Sequence, residues 1–144
     1  MQHIMLRKIF GAVCCVILLL ASQNLLASLD IEKYNVVWNS PGKNASDSMP
    51  AGNGEVGINL WVEEHGDLQF YISRTDSWSE SCRLLKIGKV RISVSPNPFL
   101  KGNFFVQKLN FNEGCIEISA GKNREEIKIT TFVDANAPVI HIVG

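Results

Sequence analysis

From Tyr34 onward the chain is a succession of short runs in which apolar and polar residues alternate, divided by Gly, Asn, Asp and Pro. Val56, Ile58, Leu60 and Val62 share one face; Leu68, Phe70 and Ile72 share the next; Val90, Ile92 and Val94 do the same between Lys89, Arg91, Ser93 and Ser95. A period of two sends successive side chains to opposite faces of a pleated strand, so each run predicts a strand with one buried face. Phe104 to Phe111, Cys115 to Ala120, Glu126 to Val133 and Pro138 to Val143 extend the series. Their dividers, Asn112-Glu113-Gly114, Gly121-Lys122-Asn123 and Asp134-Ala135-Asn136-Ala137, are short enough for antiparallel hairpins. No stretch after residue 28 carries a 3.6-residue apolar stripe longer than two turns, which argues against an α/β fold with crossover helices. The pattern predicts an all-β antiparallel sandwich of seven or eight strands. Its last run, Val139 to Val143, stops one residue short of the terminus where a frayed polar tail is usual, and the expectation is a domain cut short at its C-terminal end.

The first residues follow a different pattern. Arg7 and Lys8 precede thirteen uncharged residues, Ile9 to Ala21, and Ser22-Gln23-Asn24 then break the run ahead of Leu25, Leu26, Ala27 and Ser28. A basic start, an apolar middle and small residues at the cut are the order of a secretory signal. The run is shorter than the roughly 20 apolar residues that a spanning helix needs, so cleavage is favoured over a retained anchor. Cleavage is expected after Ser22 or Ala27. Residues 1–27 then form a signal peptide and residues 28–144 a β-sandwich domain, exported to a periplasmic or extracellular location, with no membrane attachment after cleavage. Cys14 invites a lipoprotein reading, but Val13 stands before it where a small residue is wanted, and Cys14 and Cys15 read as apolar filler.

Composition then narrows the partners. The overall 46% hydrophobic content is inflated by the leader. Without residues 1–27 the chain holds 12 basic and 14 acidic side chains, a formal charge of −2, which excludes an electrostatic nucleic-acid binder. Cys82 and Cys115 are left in an oxidising compartment and form a candidate disulfide, provided the fold brings them together. Neither has a second Cys or His within four residues, and His3, His65 and His141 are isolated, so no metal site and no cofactor is expected. Asn44-Ala45-Ser46 matches the glycosylation acceptor pattern.

Two stretches depart from plain alternation. Asp47 to Gly57 contains Pro50 and three glycines, Gly52, Gly54 and Gly57, and reads as a tight turn feeding the strand Ile58 to Val62. A phosphate-cradling loop needs a helix N-terminus behind it and a Lys or Ser/Thr at fixed spacing; a strand follows here, and nucleotide binding is set aside. Leu68 to Trp78 reads as a strand ending in a charged and aromatic corner.

Together these stretches resemble the N-terminal β-domain of family 95 glycoside hydrolases, the α-L-fucosidase type. The turn Pro50-Ala51-Gly52-Asn53-Gly54-Glu55-Val56-Gly57 is similar to that family's Pro-x-Gly-Asn-Gly-x-x-Gly, and Ser73-Arg74-Thr75-Asp76-Ser77-Trp78 to its Asn/Ser-x-x-Asp-x-x-Trp-like corner. Ser73 stands where the fucosidases usually carry Asn. More closely, the chain resembles the bacterial N-terminal domain of unknown function 5703, from Trp38-Asn39-Ser40-Pro41 through the glycine turn to Arg83-Leu84-Leu85-Lys86-Ile87-Gly88. The resemblance covers roughly residues 31 to 143. It implies a supersandwich-like domain preceding a helical barrel that holds the catalytic carboxylates, so no catalytic residue is carried onto this chain.

Candidate sites are weighed against plain structural roles. Glycoside hydrolysis takes two carboxyl groups about 5 to 9.5 Å apart, and the sequence does not pair Glu55, Glu63, Glu64, Asp67, Asp76 and Glu80 in space. Glu63, Glu64 and Asp67 around His65-Gly66 read as a solvated hairpin turn. Asp76 reads first as an acceptor for backbone N–H groups at the corner, and Asn53, between two glycines, as a residue in a left-handed turn. Trp38, Trp61 and Trp78 offer flat faces to a sugar but read first as core or domain-interface packing. Asn53, Asp76 and Trp78 are the candidate substrate-binding residues. The expected function is a non-catalytic β-domain of an exported glycoside hydrolase-like protein that packs against a downstream helical catalytic domain. The alternative is a stand-alone carbohydrate-binding module, and a third reading is a secreted sandwich that mediates protein contacts.

Overall fold

The computed structural model describes residues 30–122 and 126–144. The expected signal peptide, Cys14 with it, and Asn123 of one expected turn lie outside the described residues. Residues 31–144 form a sandwich of two antiparallel sheets. Nine strands are described: β1 (Val36–Trp38), β2 (Met49–Gly52), β3 (Val56–Val62), β4 (Asp67–Trp78), β5 (Leu84–Ser93), β6 (Phe104–Asn110), β7 (Cys115–Gly121), β8 (Ile127–Val133) and β9 (Ile140–Val143). One sheet runs β2-β3-β4-β5 and the other β1-β6-β7-β8-β9. Helix among the described residues is limited to two short 3-10 turns, Ile31–Tyr34 and Ala45–Asp47.

Alternation places the core. Ile58, Leu60 and Val62 of β3 and Leu68 and Phe70 of β4 face Ile116, Ile118 and Ala120 of β7 and Ile129 and Val133 of β8, with Met49 and Phe99 closing the cluster. The cross-strand pairs Leu60–Phe70 and Ile118–Ile129 keep apolar residues in register, and a slip of one residue would turn each strand inside out. Positive φ is taken by Gly66 at +97° in the β3–β4 turn and by Gly114 at +63° in the β6–β7 turn, where a side chain would be strained.

Three differences from the sequence pattern bear on function. Met49–Gly52, read as the entry to a turn, is edge strand β2, where Pro50 is tolerated because one side of an edge strand needs no donor. The corner expected at Ser73–Trp78 is instead the outer half of a 12-residue β4. Its partner β5 begins at Leu84, well before the alternating Val90-Ile92-Val94 run, because Leu84, Leu85, Lys86 and Ile87 are all exposed and no burial imposes a period of two on them.

Candidate functional site

The glycine turn and the outer half of β4 come together at one end of the four-stranded sheet. Gly52 is required by close approach, since a Cβ there would lie 2.9 Å from the Val56 carbonyl oxygen. Gly54 carries the turn at φ +91°. The left-handed conformation expected at Asn53 therefore belongs to its neighbour, and Asn53 has another task. Its Oδ1 accepts from the N–H groups of Glu55 and Val56, both at 2.9 Å, while its Nδ2 donates to the carbonyls of Asp134 at 2.8 Å and Ala137 at 3.0 Å. The amide is spent inside the protein, stitching the β2–β3 turn to the β8–β9 turn across the two sheets.

Next to that stitch lies an ion-pair cluster. Arg74 Nη2 donates to Glu55 Oε1 at 2.7 Å, and its Nε is 3.5 Å from Asp76 Oδ1. Asp76 thus leans on a guanidinium rather than on the backbone N–H groups expected of it. Sequence reading passed over Arg74; the signal was there, since the turn length pairs Val56 with Arg74 and so sets Glu55 beside the same strand. A groove of about 270 Å³ opens over the turn, with Gly57, Asn59, Ser73 and Leu84 in its lining.

Beyond Arg74 the β4 strand has left β3, and β4 and β5 continue as a two-stranded arm closed by Ser79–Arg83. Trp78 pairs across the arm with Leu84, and its indole N–H donates to the Thr75 carbonyl at 2.6 Å. Trp78 is 57% exposed, Leu84 50%, Leu85 45% and Ile87 56%. The other tryptophans differ: Trp38 packs against the core, and Trp61 is 1% exposed although it points away from that core. The arc from Gly42 to Met49 is anchored on either side of Trp61, by Gly42 N–H to Val62 O at 2.8 Å and by the Met49–Leu60 pair, and its 3-10 turn packs on β3. Among the three tryptophans, Trp78 alone offers a broad open face.

The opposite end of the sheet corrects a second expectation. Asp67 is not part of a solvated turn; it is 7% exposed and held by the hydroxyl of Ser93 at 2.5 Å and by Arg91, whose Nε is at 2.7 Å and whose Nη2 also donates to it. Those bonds, the hydroxyl first and the guanidinium second, hold its carboxyl below the usual carboxylate range. Glu64 and His65 are exposed as expected and line, with Asn39, Ser40 and the Phe99–Phe105 pair, a cavity of about 420 Å³.

The candidate disulfide is not formed. Cys82 sits exposed in the tip of the arm at φ +55°, and Cys115 is buried at the start of β7 in the other sheet; both are free thiols. Among the described residues no group of three or more His, Cys, Asp or Glu side chains is placed to hold a metal ion. Nor is any described helix long and apolar enough to cross a membrane.

The family model described as Domain of unknown function (DUF5703) matches residues 37–143. That match takes in most of the chain, and the chain belongs to this family. Neither the curated proteins nor the solved structures yield a match to it.

Proposed function

We propose that this member of the DUF5703 family is the non-catalytic N-terminal β-domain of an exported, glycoside hydrolase-like protein, and that its β4–β5 arm packs against a helical catalytic domain downstream of residue 144. One observation carries the reading: Trp78, Leu84 and Leu85 stand exposed on a narrow two-stranded element, with Ile87 exposed at its base, where β4 is still paired with β3. Such a ribbon has little stability of its own, and large apolar side chains grouped at one place on a surface are characteristic of an interaction site. Export rests on the leader pattern of residues 1–27, and the hydrolase connection on the likeness of the glycine turn and the Ser73–Trp78 segment to the β-domain of family 95 enzymes.

The test is hydroxyl-radical footprinting of the native product in its source beside the isolated 144-residue chain. Protection of Trp78, Leu85 and Ile87 in a longer native polypeptide, with the same residues reactive in the isolated chain, is the expected result. Equal reactivity in both would remove the arm as a docking element. A second reading, a carbohydrate-binding module, is favoured by the geometry of Trp78 itself: its N–H is taken by Thr75, so what the indole offers solvent is its apolar face.

A further inference from the structure

Three of the four sheet edges are blunted in familiar ways, and one is not. β1 has 3 residues and β9 has 4; β2, also 4 long, contains Pro50, which has no N–H to offer. Short edge strands and proline are devices by which soluble sandwiches keep further strands from adding to them. β5 is the remaining edge, the last strand of its sheet among the described residues, and it runs for 10 residues without a proline. A bulge at Ile87 separates its arm portion from Gly88–Ser93, which pairs without interruption with Asp67–Ile72. Along that regular stretch every second residue turns its N–H and C=O away from β4, to a side on which no described strand lies.

The two faces of β5 set the chemistry. Val90 and Ile92 turn inward and pack, partly buried, on the margin of the core. Lys89 and Arg91 turn outward beside Tyr71 and Gln69, and Lys86 follows beyond the bulge. Arg91 is taken by Asp67, but Lys86 and Lys89 form no ion pair among the described residues. Glu63 stands off the edge, after β3 and two strands inward, and Asp76 lies in the arm against Arg74. No acidic residue occurs between Glu80 and Glu113. Lysines on an edge strand often deter pairing, but these two lean back over the sheet: Lys86 Nζ is 4.1 Å from the Tyr71 ring centroid and Lys89 Nζ 5.3 Å from that of Trp61, on β3. The backbone edge is left bare. A strand laid along it sets outward side chains beside Lys86 and Lys89 and inward ones beside Val90 and Ile92. A second copy of β5 would bring the same bases face to face, whereas acidic residues alternating with apolar ones suit both faces.

We propose that the Gly88–Ser93 edge of β5 is a docking site for an extended segment of a partner protein in which acidic and apolar residues alternate, added to the sheet as a further strand. Main-chain hydrogen bonds hold such a segment, and the alternate side chains select it. The site is independent of the arm: it uses neither Trp78 nor Leu84 and Leu85, and it would stand if docking through the arm failed.

The experiment is amide hydrogen exchange, read by NMR on the 144-residue chain alone and with three probes: a short blocked peptide alternating glutamate and valine, its lysine–valine counterpart, and chondroitin sulfate, an acidic polymer without a peptide backbone. In the free chain, alternate amides of Gly88–Ser93 are expected to exchange fast and the intervening ones, bonded to β4, slowly. The glutamate peptide is expected to slow the fast set roughly tenfold and the lysine peptide to leave it unchanged. Lys86→Glu combined with Lys89→Glu, both on the outer face, is expected to reverse that preference. No slowing by the glutamate peptide overturns the proposal, as does equal slowing by the lysine peptide or by chondroitin sulfate. A fast set already slow in the free chain also overturns it: the edge is then covered by the chain itself or, where the slowing grows with protein concentration, by a second copy.

Discussion

Asn53 reaches across the sandwich to Asp134: its side-chain amide donates to the Asp134 carbonyl at 2.8 Å from a turn eighty-one residues away in sequence. With the second bond to Ala137 and two accepted from Glu55 and Val56, one side chain fixes the β2–β3 turn against the β8–β9 turn. Replacing it with alanine leaves two carbonyls and two N–H groups to find partners at a part-buried site. At about 0.5–1.5 kcal/mol net per hydrogen bond, Asn53→Ala is expected to cost roughly 2–4 kcal/mol. Asn53→Asp keeps the acceptor and loses both donors, and it sets a negative charge against two carbonyl oxygens; it is expected to be no better than alanine. Urea titration of the three proteins checks this, and a cost below about 0.5 kcal/mol for alanine would return Asn53 to the ligand-binding candidates.

The Asp67 cluster gives stability a pH dependence of known sign. The Ser93 hydroxyl and the Arg91 guanidinium bond the ionised carboxylate and lower its pKa from the ordinary 3.8. A group whose pKa is lowered on folding contributes stability above its unfolded value, and that contribution disappears as pH falls through the lower folded value. Wild type and Asp67→Asn are therefore expected to differ most in stability at neutral pH, to converge as the pH falls below about 4, and to coincide in stronger acid. Chemical denaturation at a series of pH values reads the difference; a gap independent of pH would mean that Asp67 acts through packing alone.

How far the sequence showed this in advance depended on burial. β3 and the strands β6, β7 and β8 were legible nearly to the residue, because one face of each is fixed by the core and the alternation of Val56 to Val62 or Cys115 to Ala120 records it. The start of β5 was not, because the Arg83–Ile87 segment is exposed throughout and a strand without a buried face leaves no periodic mark. Asn53 and Asp76 stand out in the sequence as candidate binding residues, but their partners lie in the β8–β9 turn and on β4, and contacts of that range are written in register rather than in composition. Asp67 was misjudged for the same reason: its partners Ser93 and Arg91 lie on β5, and the β4–β5 register that sets them beside it is not written in composition.

The arm and the core make opposite predictions for apolar truncation. Leu85→Ser and Ile87→Ser remove side chains that are about half exposed and are expected to change unfolding free energy by no more than about 0.5 kcal/mol. Leu60→Ala and Ile118→Ala each empty a fully buried position and are expected to cost about 2–5 kcal/mol. Equilibrium denaturation separates the two classes. Arm variants that destabilise as strongly as the core pair would show that the ribbon is an integral part of the sandwich, and that its apolar residues are held for stability instead of for contact with another surface.

The two thiols of residues 28–144 differ in a way that a simple reagent can read. Cys82 is exposed at the tip of the arm, where an aromatic disulfide reaches it without any opening of the fold. Cys115 is buried at the head of β7, and burial, reinforced by the charges of Glu117 and Glu113, pushes its thiol pKa up, so both access and thiolate fraction are low in the folded state. A chain beginning at residue 28, prepared without reductant, is therefore expected to release one equivalent of chromophore natively and a second on denaturation. Trp78→Ala, which disturbs the arm beside Cys82, is expected to leave the slow class unchanged, because Cys115 is reached through opening of the other sheet. Two unreactive cysteines in both states, restored by reductant, would show a disulfide after all and would require the tip of the arm to fold back toward the start of β7.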